Sequence, residues 1–144
     1  LFHRGQPDPQ TRCLKISLCY NHCKQAGDII LEAIEKARRI VEISSDKLAS
    51  DIALLDTHAV CSIADYFVIV SGESVRQLAA LSNDIERSLK KEGVNPVQRE
   101  GTAVSGWMIL DYGDVIVHVF SSSERGYYKL DELWSTAKPV VRIA

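Results

Sequence analysis

The near-continuous apolar run from Tyr66 to Val70 constrains the fold more than any other stretch of the 144 residues. A strand wetted on one side alternates apolar and polar side chains, whereas a run without alternation suggests cover on both faces. The turn Ser71-Gly72-Glu73-Ser74 follows directly, and Ser74 and Gln77 have the spacing of a capping box. Leu78, Leu81, Ile85 and Leu89 then mark the buried side of a helix. Lys90 and Lys91 suit its negative end, and Gly93 with Pro96 stops it.

Other elements take their places around this strand-to-helix unit. A helix is expected from near Asp28, with Ile30, Ala33, Ile34, Ala37 and Val41 on its core face and Asp28 as its cap. Glu32 with Lys36 and Glu35 with Arg39 have the favourable four-residue spacing along its solvated face. Strands are expected at Asp51–Asp56, Asp65–Val70, Val97–Glu100, Trp107–Leu110 and Val115–Phe120. The turn Asp111-Tyr112-Gly113-Asp114 joins the last two as a hairpin, and a final helical stretch covers about Ser123 to Ser135. This order predicts a single mixed α/β (α+β) domain with a sheet of about five strands flanked by helices. Residues 1–25 lack a period and read as an arm, 26–136 as the domain, and 137–144 as a C-terminal tail.

Charge and cysteine usage narrow the function classes. The formal charge of −2 argues against a protein that grips nucleic acid through a basic face. Residues 1–27 carry four cations and one acid, for +3, so the remaining 117 sum to −5. An acidic body repels phosphate backbones and attracts basic proteins. No run approaches the roughly 18 apolar residues of a membrane span, so a soluble protein is expected. Cys13, Cys19 and Cys23 are separated by five and three residues, with His22 beside the last and Cys61 alone; no second pair follows as a zinc site requires, and no metal or cofactor is predicted. The cysteines imply no disulfide framework, which suits a reducing compartment. Met108 is the only methionine and the chain opens on Leu1; the basic leader reads either as the remnant of a transit peptide or as a bacterial protein with a ragged start.

Catalytic constellations do not assemble from the sequence. The Gly-Glu-Ser turn resembles a phosphate-binding corner, but one glycine without a Walker lysine is not a P-loop, and Glu73 would repel a phosphate. A metal-dependent nucleotidyl transferase needs two acids one residue apart on a strand. Asp51 with Asp56 and Asp111 with Asp114 both miss that spacing. His118 reads as a packed strand residue, and His58 with Cys61 has only sequence proximity. What remains is a surface argument. From Glu100 to Trp134 there are six acids against Arg125 and Lys129, together with Trp107, Tyr112, Tyr127, Tyr128 and Trp134. About half of these aromatics are expected inside. Acids and aromatics without a catalytic pair favour a binding module over an enzyme.

The stretches DIALLD, SIADYFVIVSGES, GWMILDYGDVIVHVF and ERGYYKLDELW resemble the ribosomal silencing factor family, also called RsfS or Iojap. The likeness runs from about Ile29 to Trp134. It implies a nucleotidyltransferase-like fold that lacks the catalytic acids. It also implies a non-enzyme that binds ribosomal protein L-fourteen on the large subunit, blocks subunit joining and so represses translation when nutrients are short. Organellar relatives act in large-subunit assembly, which is the alternative role; a nucleotide-binding or nucleotidyltransferase enzyme is the weaker one. Carried onto this chain, the partner-binding residues are Trp107, Leu110, Asp111, Tyr112 and Asp114, followed by Glu124, Asp131 and Glu132. Trp107 and Tyr112 are expected as apolar anchors, and Asp111 and Asp114 as partners for basic residues. The basic arm is expected to make at most a minor contact with ribosomal RNA, and a homodimer of the free protein stays open. The expected compartment is the bacterial cytoplasm, or alternatively a chloroplast stroma or mitochondrial matrix.

Overall fold

A computed structural model describes residues 32–60 and 64–143. The arm, the cap at Asp28 and all four cysteines lie outside the described residues. Helix α1 (Ala33–Asp46) precedes strands β1 (Ser50–Asp56) and β2 (Tyr66–Gly72). Helix α2 (Val75–Lys91) follows, then β3 (Gln98–Thr102), β4 (Trp107–Asp111) and β5 (Val115–Ser121). Two short helices, α3 (Ser122–Tyr128) and α4 (Leu130–Leu133), lead into β6 (Lys138–Ile143).

The strands form one six-stranded mixed sheet in the order β3-β4-β5-β2-β1-β6. β2 and β5 run parallel at its centre, and every other neighbouring pair is antiparallel. β2 has a strand on each side and a layer on each face, so the unbroken apolar run has the double cover it called for. Val68 and Val70 face one way with Leu78, Leu81, Ile85 and Leu89 of α2 and Ala37 and Ile40 of α1. Phe67 and Ile69 face the other way with Trp107, Ile109, Ile116, Phe120 and Leu130. The Ser74 hydroxyl accepts from Gln77 N–H at 3.1 Å, and Gln77 Oε1 returns by accepting from Glu73 N–H at 2.7 Å. The start of α2 is therefore closed as the capping spacing predicts.

Several expectations change. The stretch read as a tail supplies a sixth strand: β6 pairs with β1 from Ile52↔Ile143 to Asp56↔Lys138. Lys36 and Arg39 of α1 reach other elements, and Arg39 also pairs with Glu42 of its own helix at 3.2 Å. Lys36 Nζ lies 2.8 Å from Asp114 Oδ1, and Arg39 Nε lies 3.1 Å from Glu92 Oε2. The anticipated patch around Trp107 is not at the surface. Trp107, Leu110, Asp111 and Tyr112 are all buried. The reason is position: β4 sits between β3 and β5, so its Met108–Leu110–Tyr112 side joins the α1–α2 core. The opposite side, with Trp107 and Ile109, is covered as well.

Candidate partner-binding face

The second face of the sheet is closed by aromatic rings. Trp107 stacks on Phe120 with ring centroids 5.0 Å apart and meets Tyr128 of α3 at 4.4 Å. Phe67 meets Trp134 edge-on at 5.2 Å. Trp107 Nε1–H donates to His118 Nδ1 at 3.2 Å inside this layer. An accepting Nδ1 leaves the proton of the neutral ring on Nε2. His118 is thus a packed strand residue, as its apolar neighbours suggest.

Outside this layer lie α3 and α4. Ser121 caps α3, its hydroxyl accepting from Glu124 N–H at 3.2 Å. Lys129, in the left-handed conformation at φ 50°, breaks the helix and starts α4. The β3–β4 turn rests on the first turn of α3: a Cβ at Gly106 would lie 2.6 Å from Glu124 Cγ and 2.8 Å from Ser121 Oγ. Only glycine, with its φ of +80°, fits there. Tyr127 projects outward, 61% exposed, with its ring edge-on to Tyr128 at 5.0 Å. Val104, 83% exposed, sits in the turn, and Glu132 is exposed on α4.

The eight residues expected to touch a partner therefore divide. Four are inside β4 and its turn. Asp114 is held by Lys36. Glu124 is half-buried beneath the β3–β4 turn. Asp131 is turned inward: its carboxylate takes Arg125 Nε at 3.0 Å and Nη2 at 3.1 Å, with Arg142 Nη1 at 3.4 Å. Burial alone would raise this carboxyl, but the Arg125 and Arg142 guanidinium groups hold it below the ordinary carboxylate range. Glu132 alone of the eight is presented openly to solvent. Residue spacing does not single out Arg125, which is buried; a lone arginine in a short helix gives no sequence signal of burial.

Asp111 occupies an unusual place. Its Oδ1 accepts from Gly113 N–H at 2.7 Å, while its Oδ2 is buried without a partner. Burial raises this carboxyl to about 7; the nearby Asp114 and Glu100 carboxylates add to the rise, and the Gly113 hydrogen bond opposes it. Burial likewise raises the Tyr112 phenol, whose hydroxyl also lacks a partner. Elsewhere, His58 Nδ1 lies 3.0 Å from Asp65 Oδ1, and this contact first, with the Asp65 charge, raises the imidazole above its ordinary value. Among the described residues no group of three or more His, Cys, Asp or Glu side chains is arranged to hold a metal. No helix among them is long and apolar enough to cross a membrane.

The family model "Ribosomal silencing factor during starvation" matches residues 30–144. The chain belongs to the ribosomal silencing factor family. It is 40% identical over 92 residues to the ribosomal silencing factor RsfS of Bacillus subtilis, covering 64% of this chain and 78% of that protein. The crystal structure of a Chromobacterium violaceum protein superimposes with a TM-score of 0.70 at 33% identity, over 79% of this chain and 93% of that one. The chloroplastic protein Iojap of Zea mays is 28% identical over 109 residues, 76% of this chain but 47% of that protein. Family membership places the chain in ribosome-associated translation regulation. The family match also extends through β6, beyond the Trp134 limit of the sequence likeness.

Proposed function

We propose that this chain represses translation by binding ribosomal protein L-fourteen on the large ribosomal subunit and standing where the small subunit must dock. The reading makes it an obstacle rather than an enzyme, working in the bacterial cytoplasm. The observation that carries it is family membership, joined to the exposure of Tyr127 and Glu132 on the two short helices outside the aromatic layer. An exposed tyrosine and an exposed acid suit a basic ribosomal protein: the ring supplies apolar area and the carboxylate steers approach. The −5 charge of residues 28–144 favours the same class of partner. A second role, large-subunit assembly in an organelle, draws on the likeness to the chloroplastic Iojap protein. Co-sedimentation with isolated large subunits tests the binding, and formation of joined ribosomes tests the block. Silencing requires that added protein lower the joined fraction. An assembly role requires preference for precursor particles over mature subunits.

A further inference from the structure

The two exposed candidates for partner contact stand on different helices. Tyr127 is on α3 and Glu132 on α4, with the left-handed Lys129 between them. Helices of seven and four residues hold little structure of their own. The apolar contacts beneath them, Tyr128 on Trp107 and buried Leu130, resist removal but are not directional. Something directional must set the angle across the break.

Arg125 does so. Its side chain is only 9% exposed. Nε and Nη2 grip both oxygens of Asp131 across the helix break, and Nη1 donates to Ser71 Oγ at 2.8 Å and to the carbonyl oxygen of Asp51. One guanidinium thereby ties α3 to α4, to the end of β2, and to a bulge in β1 where Asp51 itself has φ 46°. Arg142 extends the tie to β6 through the same Asp131. The site lies beyond the carboxyl ends of the parallel pair β2 and β5, in an open crevice of about 400 Å³.

We propose that Arg125 is the positioning residue of the partner-binding face: its forked contact with Asp131, Ser71 and Asp51 presets Tyr127 and Glu132 in one arrangement. This rests on the proposed function. Arginine is needed for its shape as well as its charge, because lysine cannot make the two parallel bonds. If the clamp acts by presetting the face, losing it lowers the fraction of molecules ready to bind, and apparent affinity falls by that fraction. The loss appears in the association rate. A lost contact would instead appear in the dissociation rate.

The test measures binding kinetics of the full chain on isolated large ribosomal subunits, with Arg125→Lys, Asp131→Asn, the double variant and Tyr127→Ala. Arg125→Lys and Asp131→Asn should each slow association by about fivefold or more and leave dissociation within about twofold. The double variant should fall well short of the product of the two single effects, because both break the same Arg125–Asp131 fork. Amide exchange in residues 122–134 should accelerate while β2 and β5 stay protected. Association at the wild-type rate in both single variants, with Tyr127→Ala impaired, overturns the clamp and leaves the proposed function standing. Both single variants unfolded at room temperature would make Arg125 a residue of the global fold and overturn the positioning role. A wild-type chain that does not bind overturns both.

Discussion

A carboxyl group buried away from solvent, with other carboxylates nearby, holds its proton tightly, and Asp111 is in that position. With a folded-state pKa near 7 against an ordinary 3.8, the native state binds this proton more strongly than the unfolded chain. Its contribution is fully favourable below about pH 4, declines as pH rises towards 7, and is flat above. Asp111→Asn keeps the acceptor for Gly113 N–H and removes the ionisation. The variant should be more stable than the parent by roughly 1–3 kcal/mol at about pH 8, with the gain shrinking towards about pH 4. Urea titrations across that range check it; an equal effect at both ends contradicts the assignment. Trp107 makes the complementary case. It is wholly buried in the aromatic layer, so Trp107→Ala should cost about 3–5 kcal/mol of stability. Lost ribosome binding in that variant should accompany unfolding seen by circular dichroism, and a fully stable variant would refute the packing role.

At the scale of elements, local pattern was informative wherever the chain's own neighbours decide conformation. The Ser74–Gln77 cap, the leucine stripe of α2 and the hairpin at Gly113 are local, and each appears where its signature lies. Pairing across the sheet is not local. Lys138–Ile143 reads as a short tail because nothing nearby says that β1 has an open edge, yet five pairs dock it there. The inward turn of Asp131 was hidden for the same reason, since its partners include Arg142 on that strand. The acids and aromatics from Glu100 to Trp134 cluster in the sequence, with about half of the aromatics expected inside, but which of them face outward depends on what covers β4. The end of α1 carries a local misfit: Leu48, 82% exposed, takes the left-handed position after the helix at φ 62°. Glycine is the favoured residue there. Leu48→Gly should raise stability by about 1 kcal/mol in denaturant unfolding, and a fall would show that the leucine side chain makes a stabilising contact.

For the whole molecule, a sheet whose inner strands are buried on both faces leaves α3 and α4 as an outer rim over an aromatic layer. The proposed function assigns recognition to that rim and support to the sheet. Fold and family were legible because four motifs occur in order along the chain. The outward residues were less so, because alternation along a strand shows which side chains share a face without showing what lies over that face. Encounter with a basic partner should depend on salt, and Glu132→Lys should weaken large-subunit binding by about 1–2 kcal/mol at low ionic strength, with the difference narrowing as salt is raised. The most direct measurement is co-sedimentation of the wild-type chain and its Tyr127→Ala/Glu132→Lys double variant with isolated large ribosomal subunits. The account predicts that the wild type pellets with the subunits while the folded double variant stays in the supernatant; equal pelleting of the two would contradict it.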